Sequence, residues 1–400
     1  MNRVNCKTLL NRMMLVLLTC AAPTLLAEIQ VYLPIGVEGN EDRLQSYGST
    51  GDAAYEPNSA YDESLHIETR LSDLGYSYDR AVANALDQSD TPRDMALVTL
   101  LASPSPPTDQ AHLAALAKRA SDSAPDDILV QWLAFVAANY TRGEEKNAAA
   151  ALHTLQRMDP DNGVVWMLAL DRASRTQDVA AYESALQRIA TSTTWTEYNN
   201  GVYKMLLAAF QRHPISQKHS ELLARRNPPQ SSLAEYYELT KSAIEQRSVG
   251  VILNNYQALD DACIVDPEKS TTVNHIDVCA RIGRLMFDHG NSISAIETGE
   301  LLLASAAVFN EEDLQRSREQ DWIFLQYAQL TGFGNQSITN AEMIADGSDR
   351  EKLGNELDVM RHALSRAGKT LVPPADWKDE RSPFVRENLQ QRLKSPRFQV

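Results

Sequence analysis

The chain has 400 residues and carries 53 Asp and Glu against 38 Lys and Arg, a formal net charge of −15. At 43 % hydrophobic and 23 % charged residues it has the composition of a globular protein able to bury a core. The acidic balance, with no stripe of clustered Lys and Arg, excludes recognition of a nucleic-acid phosphate backbone and leaves basic partners and cationic surfaces as the suitable ones.

Residues 1–27 hold Arg3, Lys7 and Arg12 and no acid, then an apolar run from Met13 that reaches Ala21-Ala22 and Ala27. That order predicts a secretory signal peptide cleaved near Ala27. The run is about 15 residues long and is broken by Pro23, whereas a spanning helix needs about 20. Leu17-Leu18-Thr19-Cys20 is similar to a bacterial lipoprotein box, with Thr where Gly, Ala or Ser is usual before the cysteine, so a lipid anchor at Cys20 is carried as an alternative. Loss of the three basic residues takes the net charge from −15 to −18. No later apolar segment is long enough to cross a bilayer, and the expected location is the periplasm or cell envelope.

Residues 28–75 are rich in Gly, Ser, Asn, Asp and Tyr with little period and read as a flexible linker. From about Tyr78 the chain changes to Ala- and Leu-rich stretches punctuated by "SPSPPTD", "SAPDD", "MDPDNG", "NPPQS", "VDPEKS", "DHGNS", "TGFGNQS" and "LVPPADW". These breaks divide it into repeat-like helices over 76–248, C-terminal helical hairpins over 249–370 and a tail over 371–400. Asp109, Asp126, Asp161, Ser231, Ser292 and Glu311 or Glu312 stand at predicted helix starts, and Gly290 and Gly368 at predicted stops. Short connections make neighbouring helices antiparallel. The fold class expected is therefore all-α, antiparallel hairpins stacked as a short solenoid or an irregular helical array.

Within this array Trp132 and Trp166 are 34 residues apart, and that offset also aligns Phe135 with Ala169, Leu152 with Leu186 and Leu155 with Ile189. Together with Ala148 and Pro160, the pattern resembles the tetratricopeptide repeat, a helix-turn-helix unit of the same period. Departures fall at Val136 and Leu170 where a small residue is usual, at Asn139 and Ala173 where tyrosine is usual, and at Thr194 in place of a closing proline. Through "SDTPRDMALVTLLAS", "PDNGVVWMLAL" and "CARIGRLMFDHGNSISA", the whole chain also resembles a group of exported bacterial proteins with such degenerate repeats and no assigned activity. The resemblance implies a helical fold and export, and no chemistry.

Cys263 and Cys279 are the cysteines left after the signal segment, and two thiols in an oxidising compartment predict a disulfide. Zinc is the competing reading, because His275 and Cys279 are four apart on one helical face, but a fourth ligand would have to come from Asp261, Asp277 or distant His289. "RAGKT" resembles the end of a phosphate-binding loop, yet Ala363 stands where the upstream glycine belongs and Gly368 follows a helical stretch, so it reads as a helix stop. His66-Ile67-Glu68 lacks the Pro-Cys-x-x-Cys partner of a zinc deaminase, no Gly-x-Ser-x-Gly elbow occurs, and acidic pairs such as Asp260-Asp261 and Glu311-Glu312 read as solvated faces. No catalytic residue, metal ligand or cofactor is assigned.

Trp132, Tyr140, Trp166, Tyr182, Trp195, Tyr198 and Tyr203 read mainly as packing between helices. Repeat arrays bind on their inner surface, and Trp195 and Tyr198, just past the last recognisable repeat, are the pair expected on an exposed aromatic edge open to a partner. The function expected is a non-enzymatic interaction or assembly scaffold of the cell envelope. The alternative is an envelope enzyme, for instance one acting on peptidoglycan, and a deep pocket holding a carboxylate among apolar walls would favour it.

Overall fold

The computed structural model describes residues 59–102, 110–139, 141, 143–226, 229–263, 275–306, 308–331 and 339–377. The expected signal segment with Cys20, residues 28–58 of the expected linker and residues 378–400 of the expected tail lie outside them. Among the described residues there are fifteen helices and no strand, so the expected all-α array is the fold. No helix among them is long and apolar enough to cross a membrane.

The first helix, α1 (Ser59–Asp87), corrects the linker boundary. Ile67, Leu71, Tyr78, Val82 and Leu86 recur at helical spacing and are all buried. The polar, glycine-containing composition around them hides that stripe. Next come three consecutive hairpins: α2 (Pro92–Leu101) with α3 (Gln110–Ser123), α4 (Ile128–Asn139) with α5 (Glu145–Met158), and α6 (Gly163–Thr176) with α7 (Val179–Thr191). The row then breaks for α8 (Asn199–Arg212), α9 (Gln217–Arg225) and the long α10 (Ser232–Cys263), and resumes when α11 (Ile276–His289), paired with α12 (Ile293–Ser305), packs on α7. Finally α13 (Glu311–Leu330) and α14 (Asn340–Lys352) both pack on α15 (Glu356–Arg366). The boundary expected between 248 and 249 falls inside α10, which runs unbroken across it.

Local chemistry sets the helix starts. Thr91 accepts from the Asp94 N–H ahead of Pro92, and Ser292 and Ser231 cap as expected, accepting from the N–H groups of Ala295 and Ala234. Three expected starts shift by a residue or two. Asp127 rather than Asp126 caps α4, Asn162 rather than Asp161 caps α6, and Asn310 caps α13 in a box with Asp313. Glu311 and Glu312 then sit in the first turn, where acidic charge suits the helix dipole. Asp109 lies outside the described residues. Gly368 ends α15 at φ +65°, with its own N–H and that of Lys369 folded back onto Ser365 and Leu364, as the helix-stop reading requires.

A ladder of stacked loops fixes the order of the hairpins. The loop before α6 meets the loop that follows α7 through Gly163 N–H to the Thr194 carbonyl at 2.9 Å and Thr194 N–H to the Asp161 carbonyl at 3.1 Å. The Asn162 side chain accepts from the Thr196 N–H at 3.0 Å and donates to the Thr196 carbonyl at 2.9 Å. One step on, Glu197 and Asn291 bond reciprocally, at 2.8 and 3.1 Å. One step further, Glu356 N–H reaches the Asn291 carbonyl at 2.9 Å. Backbone groups left over at helix ends thus find partners in the neighbouring loop.

Across the first helices of the hairpins lie α8 and α10. The former packs on α2 and the latter on α6, while Leu129 of α4 fits against Gly201 of α8. The first helices of the three hairpins are therefore covered by the chain itself.

Candidate functional site

The structure removes the aromatic edge expected at Trp195 and Tyr198. Trp195 has 0 % exposure and Tyr198 7 %. Trp195 sits in the loop ladder, bridged through its backbone to Gly290 and stacked on Tyr256 at 6.4 Å. Tyr198 packs on Trp132 at 5.0 Å and donates to Asp159 at 2.8 Å. Trp195 is covered where the row continues beyond it with α11 and by Tyr256 of α10, whereas Tyr198 is covered from the preceding side, by Trp132 and the loop of Asp159 and Asn162. Of the two tryptophans 34 residues apart, Trp132 is core, whereas Trp166 is half-buried, donates to the Pro160 carbonyl and lies under Arg188.

Cys263 and Cys279 form the predicted disulfide, tying the end of α10 to α11. Among the described residues no group of His, Cys, Asp and Glu is placed to hold a metal ion.

Beside the ladder is a buried carboxylate. Glu197 is 3 % exposed and receives hydrogen bonds from Tyr256, from Ser292 at 2.9 Å and from Asn199 at 3.1 Å. Burial pushes its carboxyl above the ordinary range, against the lowering effect of the Tyr256 and Ser292 hydroxyls. Every donor on it belongs to a neighbouring turn or helix, so its geometry is that of a clip between the two parts of the row.

The candidate site is a half-open cavity of about 320 Å³ lined by residues of α8, α10, α13, α14 and α15. Along it α10 and α14 pack directly on each other. At Gly347 a Cβ would stand 2.1 Å from the Tyr237 ring, so only glycine lets the helices approach there. Its walls are largely apolar, including Leu330, Met343, Ala345 and Ala363, with the tyrosines 203, 237 and 327 among them. Sequence reasoning placed Tyr203 in the core and assigned none of the others, because they come from five helices with no shared motif.

One polar group of residues faces this cavity. Arg350 donates to Asp346 at 2.9 Å and to the Tyr327 hydroxyl at 3.1 Å, and Tyr327 donates to Asp346 at 2.5 Å. Burial by itself would raise the Asp346 carboxyl, but the adjacent Arg350 guanidinium and the Tyr327 hydroxyl hold it below its ordinary value. Tyr203 is 5 % exposed, and its enclosed hydroxyl finds no hydrogen-bond partner among the described residues while lying within electrostatic reach of Arg350 and Asp346. Lys241 of α10 lines the same space half-buried, whereas Glu238 and Glu342 are exposed at its edge.

Comparison with known proteins yields no matching family model, no matching curated protein and no matching solved structure.

Proposed function

We propose that the chain is an exported, non-enzymatic assembly or binding protein of the bacterial cell envelope, built on tetratricopeptide-like hairpins. Supporting the repeat reading is the use made of the 34-residue period. Asn162 and Thr196, one period apart, are directly hydrogen-bonded, and α4–α5 and α6–α7 form successive hairpins in one row. Export is supported by the basic-then-apolar order of residues 1–27 and fits the disulfide at Cys263 and Cys279.

The observation that carries the non-enzymatic reading is the state of the carboxylate in the cavity. A general acid or base working near neutral pH is tuned toward that range, whereas Asp346 is held low in an ion pair with Arg350. The carboxylates that burial does raise stand outside this cavity: Glu197 is locked into the loop ladder, Asp171 is paired with Arg175, and Asp260 lies at the end of α10. The cavity, with a carboxylate between apolar walls, is what favours the envelope-enzyme alternative, and Asp346→Asn would abolish activity if that alternative held.

With the first helices of the hairpins covered by α8 and α10, the surface left for a partner is the acidic exterior, and a partner with a basic face is the fitting one. The test is capture of the tagged mature chain with its neighbours from the native envelope, followed by reconstitution of the purified pair. A stoichiometric complex that weakens as salt rises supports the proposal. Recovery of the chain alone at every salt concentration overturns it.

A further inference from the structure

We propose that the half-open cavity lined by α8, α10, α13, α14 and α15 binds a small uncharged molecule, largely apolar and carrying one hydrogen-bond acceptor. Volume sets its size. About 320 Å³ is at the low end of ligand pockets and, at about 30 Å³ per water-sized group, accommodates about ten non-hydrogen atoms. The walls set its body, because alanines, Leu330, Met343 and tyrosine rings offer dispersion and apolar burial.

Charge balance sets what the space excludes. Three cations, Lys241, Arg350 and Arg366, and three carboxylates, Glu238, Glu342 and Asp346, line it, so the lining as a whole is neutral. The charges are also matched locally. Asp346 lies 2.9 Å from Arg350 and within electrostatic reach of Lys241, Arg366 is paired with Asp349, and Glu342 accepts from the Thr339 N–H at 2.8 Å. An entering ion of either sign would shed its water without finding an unmatched opposite charge, and would meet a like charge beside it. A neutral body avoids that cost.

One polar group is left to satisfy. The Tyr203 hydroxyl is enclosed and has no hydrogen-bond partner among the described residues, and Tyr203 lines the cavity together with Arg350, Asp346 and Tyr237, within whose electrostatic reach its hydroxyl lies. The other two tyrosines are engaged, Tyr327 with Asp346 and Tyr237 with Glu351. A buried donor without an acceptor is costly, so an occupant with a carbonyl or ether oxygen is favoured over one of the same shape without it. The inference does not depend on the assembly role, since a cavity can be occupied whether or not the exterior engages a partner.

The experiment is titration of the purified chain, followed by ligand-detected nuclear magnetic resonance, with acetophenone, ethylbenzene, benzoate and benzylamine, which share a ring and differ in the group it carries. Saturable binding of acetophenone is expected, one per chain, with ethylbenzene about fivefold weaker and both ions about tenfold weaker or more. Tyr203→Phe should bring acetophenone down to the level of ethylbenzene and leave ethylbenzene unchanged. Ala345→Trp, which fills the space, should abolish binding of both, and circular dichroism checks that each variant folds. Binding of benzoate or benzylamine as tight as that of acetophenone, a preference for acetophenone that survives in folded Tyr203→Phe, or no saturable binding of either neutral probe would overturn the proposal.

Discussion

Three side chains carry most of what is specific to this molecule, and each was sorted by its surroundings rather than its type. Trp195 is a core residue, so Trp195→Ala should destabilise by about 3–5 kcal/mol, where a surface substitution costs within about 0.5 kcal/mol. Urea unfolding midpoints separate the two. Glu197 has its carboxyl raised by burial above 4.5, so its stabilising contribution is complete at low pH and is lost as pH rises through the folded value. Gln cannot titrate, and the stability of Glu197→Gln relative to the native chain should therefore increase between pH 4.5 and 7.5. A decrease would mean that the three donors hold an anion instead. Asp260, beside Asp261 at the end of α10, is pushed by burial from 3.8 to about 6. Asp260→Asn should gain stability relative to the native chain across that window and show a constant difference above it.

Between elements, close approach and covalent closure decide the geometry. Gly299 on α12 faces the backbone of α11 so tightly that a Cβ would stand 2.4 Å from the Phe287 nitrogen. Gly299→Val must force the two helices apart, and a loss of about 1–3 kcal/mol or more in denaturant stability is expected. Where α10 hands over to α11, the disulfide closes a loop of the length for which chain entropy gives about 3 kcal/mol. Unfolding of Cys263→Ser/Cys279→Ser, or of the native chain in reductant, should show a loss of that order. An unchanged midpoint would mean that packing of Ile282, Leu285 and Met286 already holds the junction.

For the molecule as a whole, the main hydrophobic cluster runs without interruption from Ile67 of α1 to Leu302 of α12. The row of hairpins and the α11–α12 hairpin therefore share one core, while α13 and α15 pack with the outer side of that hairpin around a second cluster that includes Phe287, Leu303, Phe309, Ile323 and Leu364, and a chain cut at residue 248 loses the end of α10 together with the hairpin that covers α7 and Trp195. Residues 59–248 expressed alone should lack the cooperative unfolding transition of the full chain, as followed by circular dichroism in urea. A sharp transition in that fragment would show that the row stands by itself.

By itself the sequence determined what is local. Apolar positions at helical spacing give the helices, Ser, Thr, Asp and Asn beside Pro and Gly give their ends to within a residue or two, and two cysteines give the disulfide. These signals lie within a few residues of one another and act through the backbone, so they are written in the order of the chain. Tertiary structure alone decided what depends on distant segments. The row passes over α8–α10 and resumes at α11, burying Trp195, and the stripe of α1 finds its cover on α2 and α9. Residues as far apart as Tyr203 and Arg350 meet around one cavity. Burial is a property of whatever comes to lie on top of a residue, and in a helical array that cover can come from more than a hundred positions away, where no periodicity connects the two.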